Sequence, residues 1–199
     1  MSTLKVDTIL KRTGTGTITL GQSGDTISIP SGATLNSAGT NTLNGVPTDL
    51  FSSTAFYAHM DSQQNLSQDT ASKVTFSQER YDLGSNYDAS NYKYVVPSTG
   101  YYRFDVGCHI ASASDSQLKT CYIMIRFTSG GSNTDFKPLY YDNEGSRQRR
   151  KPHTFGIVKS LTAGDEVSIY AYPNVTSGTP VVYYSGTIVE NYFSGYRIN

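Results

Sequence analysis

The chain has 199 residues, room for one ordinary domain plus an appendage. Sixteen basic residues balance sixteen acidic ones, and charged residues make up 16% of the chain. That balance excludes a basic nucleic-acid footprint, a polybasic membrane binder and disorder driven by net charge.

Sixteen tyrosines, no tryptophan and abundant Gly, Ser, Thr and Asn describe an all-β protein with many turns. Met1 leads directly into STLKVDTIL, with no apolar signal core and no run long enough to span a bilayer. The expectation is synthesis and folding in a cytosol, without membrane insertion.

Residues 1–50 form a first region. A Thr-aliphatic pair recurs at Thr8-Ile9, Thr17-Ile18, Thr26-Ile27, Thr34-Leu35 and Thr42-Leu43, in steps of nine, nine, eight and eight residues. Ile18/Leu20 and Ile27/Ile29 are spaced by two, as in strands, and glycines punctuate at turn positions. No aromatic residue occurs before Phe51. So few aliphatic side chains cannot offset the entropy of ordering fifty residues in one chain. Identical chains winding together would bury the same residues against each other. The repeat therefore reads as the stalk of an oligomer, with Ile9, Ile18, Leu20, Ile27, Ile29, Leu35 and Leu43 as its core. The alternative is a disordered linker, which needs no phase-locked pair.

Residues 51–199 form the second region, a head. Segments 55–60, 73–81, 92–96, 101–110, 121–127, 152–161, 166–172, 180–189 and 192–198 read as strands rich in Val, Ile, Tyr and Phe. Turn chemistry separates them, and no stretch shows helical periodicity. This predicts a β-sandwich or barrel. In 101–110 one face carries Tyr102, Phe104, Val106, Cys108 and Ile110, and the other Tyr101, Arg103, Asp105, Gly107 and His109. A hairpin turning at Ser114-Asp115 would set Cys108 opposite Cys121 on the core face, as two buried thiols or as a disulfide.

The head resembles the globular domain of complement component 1q, a relative of the tumour necrosis factor jelly roll. The residues that carry the resemblance are Ala55-Phe56-Tyr57-Ala58, Val74/Phe76, Tyr87-Asp88, Tyr94, Pro97 and Gly100-Tyr101-Tyr102-Arg103-Phe104. They continue with Leu161, Gly164, Asp165 and Val167, and end with Phe193-Ser194-Gly195-Tyr196. Residues 129–155 follow no pattern of that family, and residues 1–50 lack a Gly-X-Y period. The resemblance implies a jelly roll that trimerises by packing an aromatic face on the threefold axis. The opening MSTLKVDTI and the Gly/Thr-rich repeats resemble virion proteins of tailed phages, especially those infecting marine cyanobacteria.

No catalytic constellation stands out. His59, His109 and His153 lack metal-ligand spacing, and there is no nucleophile elbow or phosphate loop. Asp142-Asn143-Glu144-Gly145 lacks the spaced carboxylates of a calcium loop. The expectation is no enzyme, no metal and no cofactor. The candidate contact surface is the basic run Arg147, Arg149, Arg150 and Lys151, with the pairs Tyr140-Tyr141 and Tyr183-Tyr184. Alternation should turn one ring of each pair outward, where it can stack on sugars or sit at an interface. The combined expectation is a homotrimeric virion protein, docked on other virion proteins through its N-terminal region and displaying its head to host glycan or protein. That protein takes the form of a short fibre or head fibre; the alternative is a capsid decoration protein, and a stalk of fifty residues, short for a tail-fibre shaft, favours a head fibre or decoration.

Overall fold

The computed structural model describes residues 42–43, 46–47, 54–113, 117–142, 145, 148–186 and 190–198. Stalk-core candidates Ile9, Ile18, Leu20, Ile27, Ile29 and Leu35 lie outside these, as does Arg147. The chain divides into two units, Met1–Thr48 and Asp49–Asn199. In the first, β1 (Thr42–Leu43) pairs antiparallel with β2 (Val46–Pro47), setting Leu43 opposite Val46.

The second unit is all-β among its described residues. Its strands are β3 (Phe56–His59), β4 (Gln64–Asn65), β5 (Ser72–Lys73), β6 (Gln78–Asp82), β7 (Tyr87–Asp88), β8 (Lys93–Val95) and β9 (Gly100–Ser112). They continue with β10 (Leu118–Ser129), β11 (Ser132–Asp142), β12 (Arg150–Leu161), β13 (Glu166–Val175), β14 (Pro180–Val182) and β15 (Tyr192–Arg197). Two antiparallel sheets form a sandwich. The first runs β4-β14-β9-β15-β3-β6, with β12 on the other side of β9; the second runs β11-β10-β13-β8-β7, with β5 beside β13.

Four sequence expectations change here. The stretch 73–81 is not one strand: β5 joins β13 and β6 joins β3, so the chain crosses between sheets and buries Val74 and Phe76 on the way. The expected β9–β10 hairpin does not form. β9 pairs in full register with β12, from Gly100↔Leu161 to Ala111↔Arg150, while β10 pairs with β11 and β13 in the opposite sheet. Alternation fixes which face of a strand is apolar, but not its neighbour. Segment 180–189 is strand over Pro180–Val182 among its described residues. The unplaced stretch 129–155 contains β11 and the start of β12. Gly130 and Gly131, at φ +54° and +82°, make the two-residue turn between the paired Ser129 and Ser132.

An aromatic cluster holds the sheets together. Phe56 stacks on Tyr94 at 4.6 Å and on Tyr87 at 5.1 Å, both from the opposite sheet, and meets the edge of Phe193 at 4.9 Å. Phe104, Tyr102 and Phe76 complete it. Each phenol finds a carbonyl: Tyr87 donates to Phe76 O, Tyr94 to Thr54 O and Tyr102 to Ser98 O. Gly195 is needed for this packing, because a Cβ there would sit 2.5 Å from Phe104 Cδ1 and 2.9 Å from the Arg103 carbonyl. The turn at Gly164-Asp165 docks on the same core. Gly164 adopts φ +89°, Asp165 accepts the Thr162 amide, and Val96 bonds to both Gly164 and Asp165 through its backbone.

Cys108 and Cys121 are free and fully buried, each facing the core from its own sheet. Burial pushes the Cys121 thiol up to about 12 and the Cys108 thiol higher still. His153, across from Cys108 on β12, is buried with its Nε2 3.9 Å from Cys121 Sγ. Desolvation lowers its pKa to about 4.

Two outcomes follow from this core. Phe56→Ala should destabilise the head by about 3–5 kcal/mol, read as a lower urea midpoint. The unfolded His153 takes up its proton near pH 6.5 and the folded one near pH 4, so stability should fall as pH drops through that window. The loss reaches ~3 kcal/mol at about 1.4 kcal/mol per unit. His153→Leu should flatten that part of the stability-versus-pH curve; an unchanged slope would refute the assignment.

Candidate assembly and binding surfaces

Alternation in the first sheet turns a second set of side chains outward. Tyr81, Tyr57 and Tyr192, one from each of β6, β3 and β15, form a row on the solvent side of the sheet. Tyr57 stacks on Tyr192 at 5.7 Å and 13°, and lies 6.1 Å from Tyr81. The Tyr192 ring lies over Gly107 of β9, where a Cβ would stand 2.3 Å from its Cε1. Partial burial raises the Tyr57 pKa.

Toward one end, Arg103 and Asp105 form a bidentate pair at 2.8 and 3.0 Å. A Cβ on Gly156 of the neighbouring strand would stand 2.4 Å from Asp105 Oδ1. Exposed Tyr101, Tyr196, Val158 and Ile198 surround this pair on the same side of the sheet.

Toward the other end lie His109, Arg150, Tyr183 and Glu190. The Glu190 carboxylate stands 3.8 Å from Arg150 Nη1 and 3.9 Å from His109 Nδ1. The Arg150 guanidinium lies 3.3 Å above the Tyr183 ring. Asn191 locks the group, accepting the His109 amide and donating to the Tyr183 carbonyl. Desolvation lowers the His109 pKa, partly opposed by Glu190.

A different surface runs along one side of the sandwich. β11 pairs with β10 alone and β12 with β9 alone among the described strands, so two long edges lie open next to each other. Phe136 and Leu139 of β11 point toward the sandwich interior, opposite Ile125 and Ile123, yet stay 41% and 46% exposed. Phe136 meets Phe155 of β12 edge-on at 6.5 Å, and Phe155 and Ile157 pack against the core from its margin. Large apolar groups along unpaired backbone are a pairing liability unless covered.

The candidate contact residues do not form one patch. Arg149 is exposed, whereas Arg150 and Lys151 begin β12 and are half-buried. Lys151 Nζ lies 3.8 Å over the Tyr141 ring. Tyr140 and Tyr141 alternate as expected: Tyr141 packs toward the core, while Tyr140 is 63% exposed on the far side of β11. Tyr183 and Tyr184 follow the end of β14 and are both half-buried, so strand alternation does not separate them. Residue-level reading passed over Tyr57, Tyr81 and Tyr192 in the outer row, and Phe136 and Leu139 on the open edge. Alternation in 55–60 already points Tyr57 away from Phe56. The edge residues lay in a stretch with no recognised pattern. Among the described residues no group of three or more His, Cys, Asp or Glu is placed to hold a metal ion.

Comparison with known proteins places this geometry. Residues 55–198 match the C1q domain family. No curated protein matches the chain. Among solved structures it is similar to the globular domain of the zebrafish complement 1qA protein, at 16% identity and TM-score 0.51, covering 73% of this chain and 98% of that one. It is also similar to Eiger TNF from S. frugiperda, at 12% identity and TM-score 0.51, covering 73% and 92%. Murine APRIL at pH 8.0 gives 12% identity and TM-score 0.52, covering 72% and 97%. At these identities the structural likeness establishes the jelly-roll fold.

The outer aromatic row depends on Gly107. Gly107→Ala should displace Tyr192, reduce the near-ultraviolet tyrosine dichroism and lower stability by ~1–3 kcal/mol, as overpacking does. Unchanged dichroism and melting would show that the ring does not occupy that seat.

Proposed function

The chain belongs to the C1q domain family, and on that premise we propose that it is a non-enzymatic homotrimeric structural protein of a tailed-phage virion, anchored by residues 1–50 and displaying an adhesive head. Domains of this family form homotrimers and typically serve as ligand-binding modules. The observation that carries the trimer is that the head bears two different, unsatisfied surfaces. One is the open apolar edge at Phe136, Leu139 and Phe155; the other is the outer sheet face with Tyr57, Tyr192, Tyr196 and Val158. They lie on different parts of the same unit. A contact between unlike patches is head-to-tail, and it closes into a ring when the rotation allows. Three copies would cover all three β11/β12 edges and all three aromatic faces at once. The Thr-aliphatic repeat supports the same association from the sequence, since so few aliphatic side chains offset the entropy of ordering fifty residues better when identical chains share them.

The virion assignment is supported by the N-terminal MSTLKVDTI and the Gly/Thr-rich repeats that follow it. The made protein would enter the particle from the host cytoplasm and dock on capsid or tail through that region. Weak head sites repeated on a threefold, and again across a particle, would gain affinity through avidity. A second reading, a decoration protein clamping the capsid, uses the same trimer with its head against capsomers.

Sedimentation of the full chain should give the mass of three protomers at micromolar concentration, and Phe136→Asp with Leu139→Asp should raise the dissociation concentration at least tenfold. A stable wild-type monomer overturns the proposal. Antibody labelling of particles should place the protein on the virion. Label at the tail supports a short adhesive fibre, label over the head shell supports a head fibre or the decoration reading, and unlabelled particles overturn both.

A further inference from the structure

One face of the head is used neither by the aromatic row nor by the open edge: the solvent side of the β11-β10-β13 sheet. Its charges are satisfied within the face. Arg126 clasps Asp135 through hydrogen bonds of 2.7 and 2.8 Å and lies 4.3 Å over the Tyr170 ring. This pairing raises the Arg126 pKa and lowers that of Asp135. Lys93 pairs with Glu166 at 2.6 Å. Lys137 and Lys73 rest over the rings of Tyr122 and Tyr170.

Phenols dominate the rest of the face. Tyr140, Tyr122 and Tyr172 stand in register on β11, β10 and β13. Tyr122 and Tyr172 are stacked at 4.7 Å and 4°, and Tyr140 lies 6.0 Å from Tyr122 at 36°. The row ends at exposed Asp69, whose Oδ1 accepts the Tyr172 hydroxyl at 3.1 Å and the Asn174 amide at 2.6 Å. Asp69 adopts φ +52° and its amide is tied to the Pro173 carbonyl, so the carboxylate is held in place against the end of the row.

We propose that this row binds an extended, uncharged oligosaccharide of a host envelope, which rests on the reading of the head as an adhesive module. One ring comes from each strand, and successive ring centroids stand 4.7 and 6.0 Å apart, a repeat set by the strand spacing of ~4.8 Å. That is close to the length of one pyranose in an extended chain. The exposed Tyr140 ring offers its face to the C–H face of a sugar, while the Tyr122 and Tyr172 hydroxyls, the Asp69 carboxylate and the Asn174 amide exchange hydrogen bonds with vicinal sugar hydroxyls. The charge pattern favours a neutral ligand, because Asp135 already engages the Arg126 guanidinium and the Asp69 carboxylate at the end of the row repels an anion. A protein partner fits less well: the face offers Tyr140 as its strongly exposed aromatic, and the exposed apolar groups Phe136, Leu139 and Val158 lie on other surfaces.

The test uses the full chain on an array of neutral and acidic oligosaccharides, with α- and β-linked hexose oligomers in both sets. At least one neutral oligomer should be retained, and Tyr140→Ser and Asp69→Asn should each weaken retention tenfold or more. Tyr122→Phe and Tyr172→Phe keep the stacked rings and remove the hydroxyls; they should melt like the wild type and bind more weakly. No retained neutral glycan, a preference for acidic glycans, or retention unchanged by Tyr140→Ser and Asp69→Asn would overturn the site. The same proteins are scored for trimer mass and for attachment to a panel of bacterial cells, marine cyanobacteria included. A trimer that attaches to cells while the array stays blank refutes the glycan site and leaves adhesion standing through a protein partner. A chain that neither trimerises nor attaches refutes the adhesive reading itself.

Discussion

The stack of Phe56 on Tyr94 and Tyr87 joins the two sheets, and the rest of the head depends on it. Phe56 sits on β3 in one sheet, and its two partners come from β8 and β7 in the other. Phe193 and Phe104 close the cluster from the neighbouring strands β15 and β9. Rings with this much buried area contribute several kcal/mol each, and their flat faces tolerate few arrangements. Once Phe56, Phe104 and Phe193 point inward, the two-residue period obliges Tyr57, Arg103, Asp105, Tyr192 and Tyr196 to point outward. The outer face is thus a consequence of the core, and Gly107, Gly156 and Gly195 supply the space where the two sets of side chains crowd the backbone.

A second constraint comes from the edges. Sheets that do not close on themselves must end, and here β11 and β12 end them side by side. Short strands, charges or proline usually blunt an edge. β11 carries Asp135, Lys137 and Pro138, yet it is eleven residues long and exposed on both sides along most of its length, with Phe136 and Leu139 among its residues. Such an edge is tolerable when another copy covers it. In the proposed trimer the solvent side of the β11-β10-β13 sheet would stay outside the contact, so covering the edge and presenting a ligand face would be compatible. The core also carries an inner polar cluster of Cys108, Cys121 and His153. All three are neutral at physiological pH for one reason, the desolvation of their charged forms.

The sequence by itself determined the fold class. Period-two alternation, β-branched and aromatic composition and Gly-rich turns left no room for helices. The landmarks Phe56, Tyr94, Phe104, Phe193 and Gly195 identified the head because each is an aromatic core residue or the glycine that clears space for one. The inward and outward faces of 101–110 were legible for the same reason. Tertiary structure alone decided the pairing. β9 takes β12 rather than β10 as its neighbour, 73–81 splits between sheets, and 129–155 becomes a hairpin edge. Local periodicity records which side of a strand meets the core, but strand order is set by long-range packing that no single segment encodes. The candidate surface followed the same division. Alternation placed Tyr140 outward, whereas its neighbours in space, Tyr122, Tyr172 and Asp69, lie 18, 32 and 71 residues away in the chain and meet through sheet register.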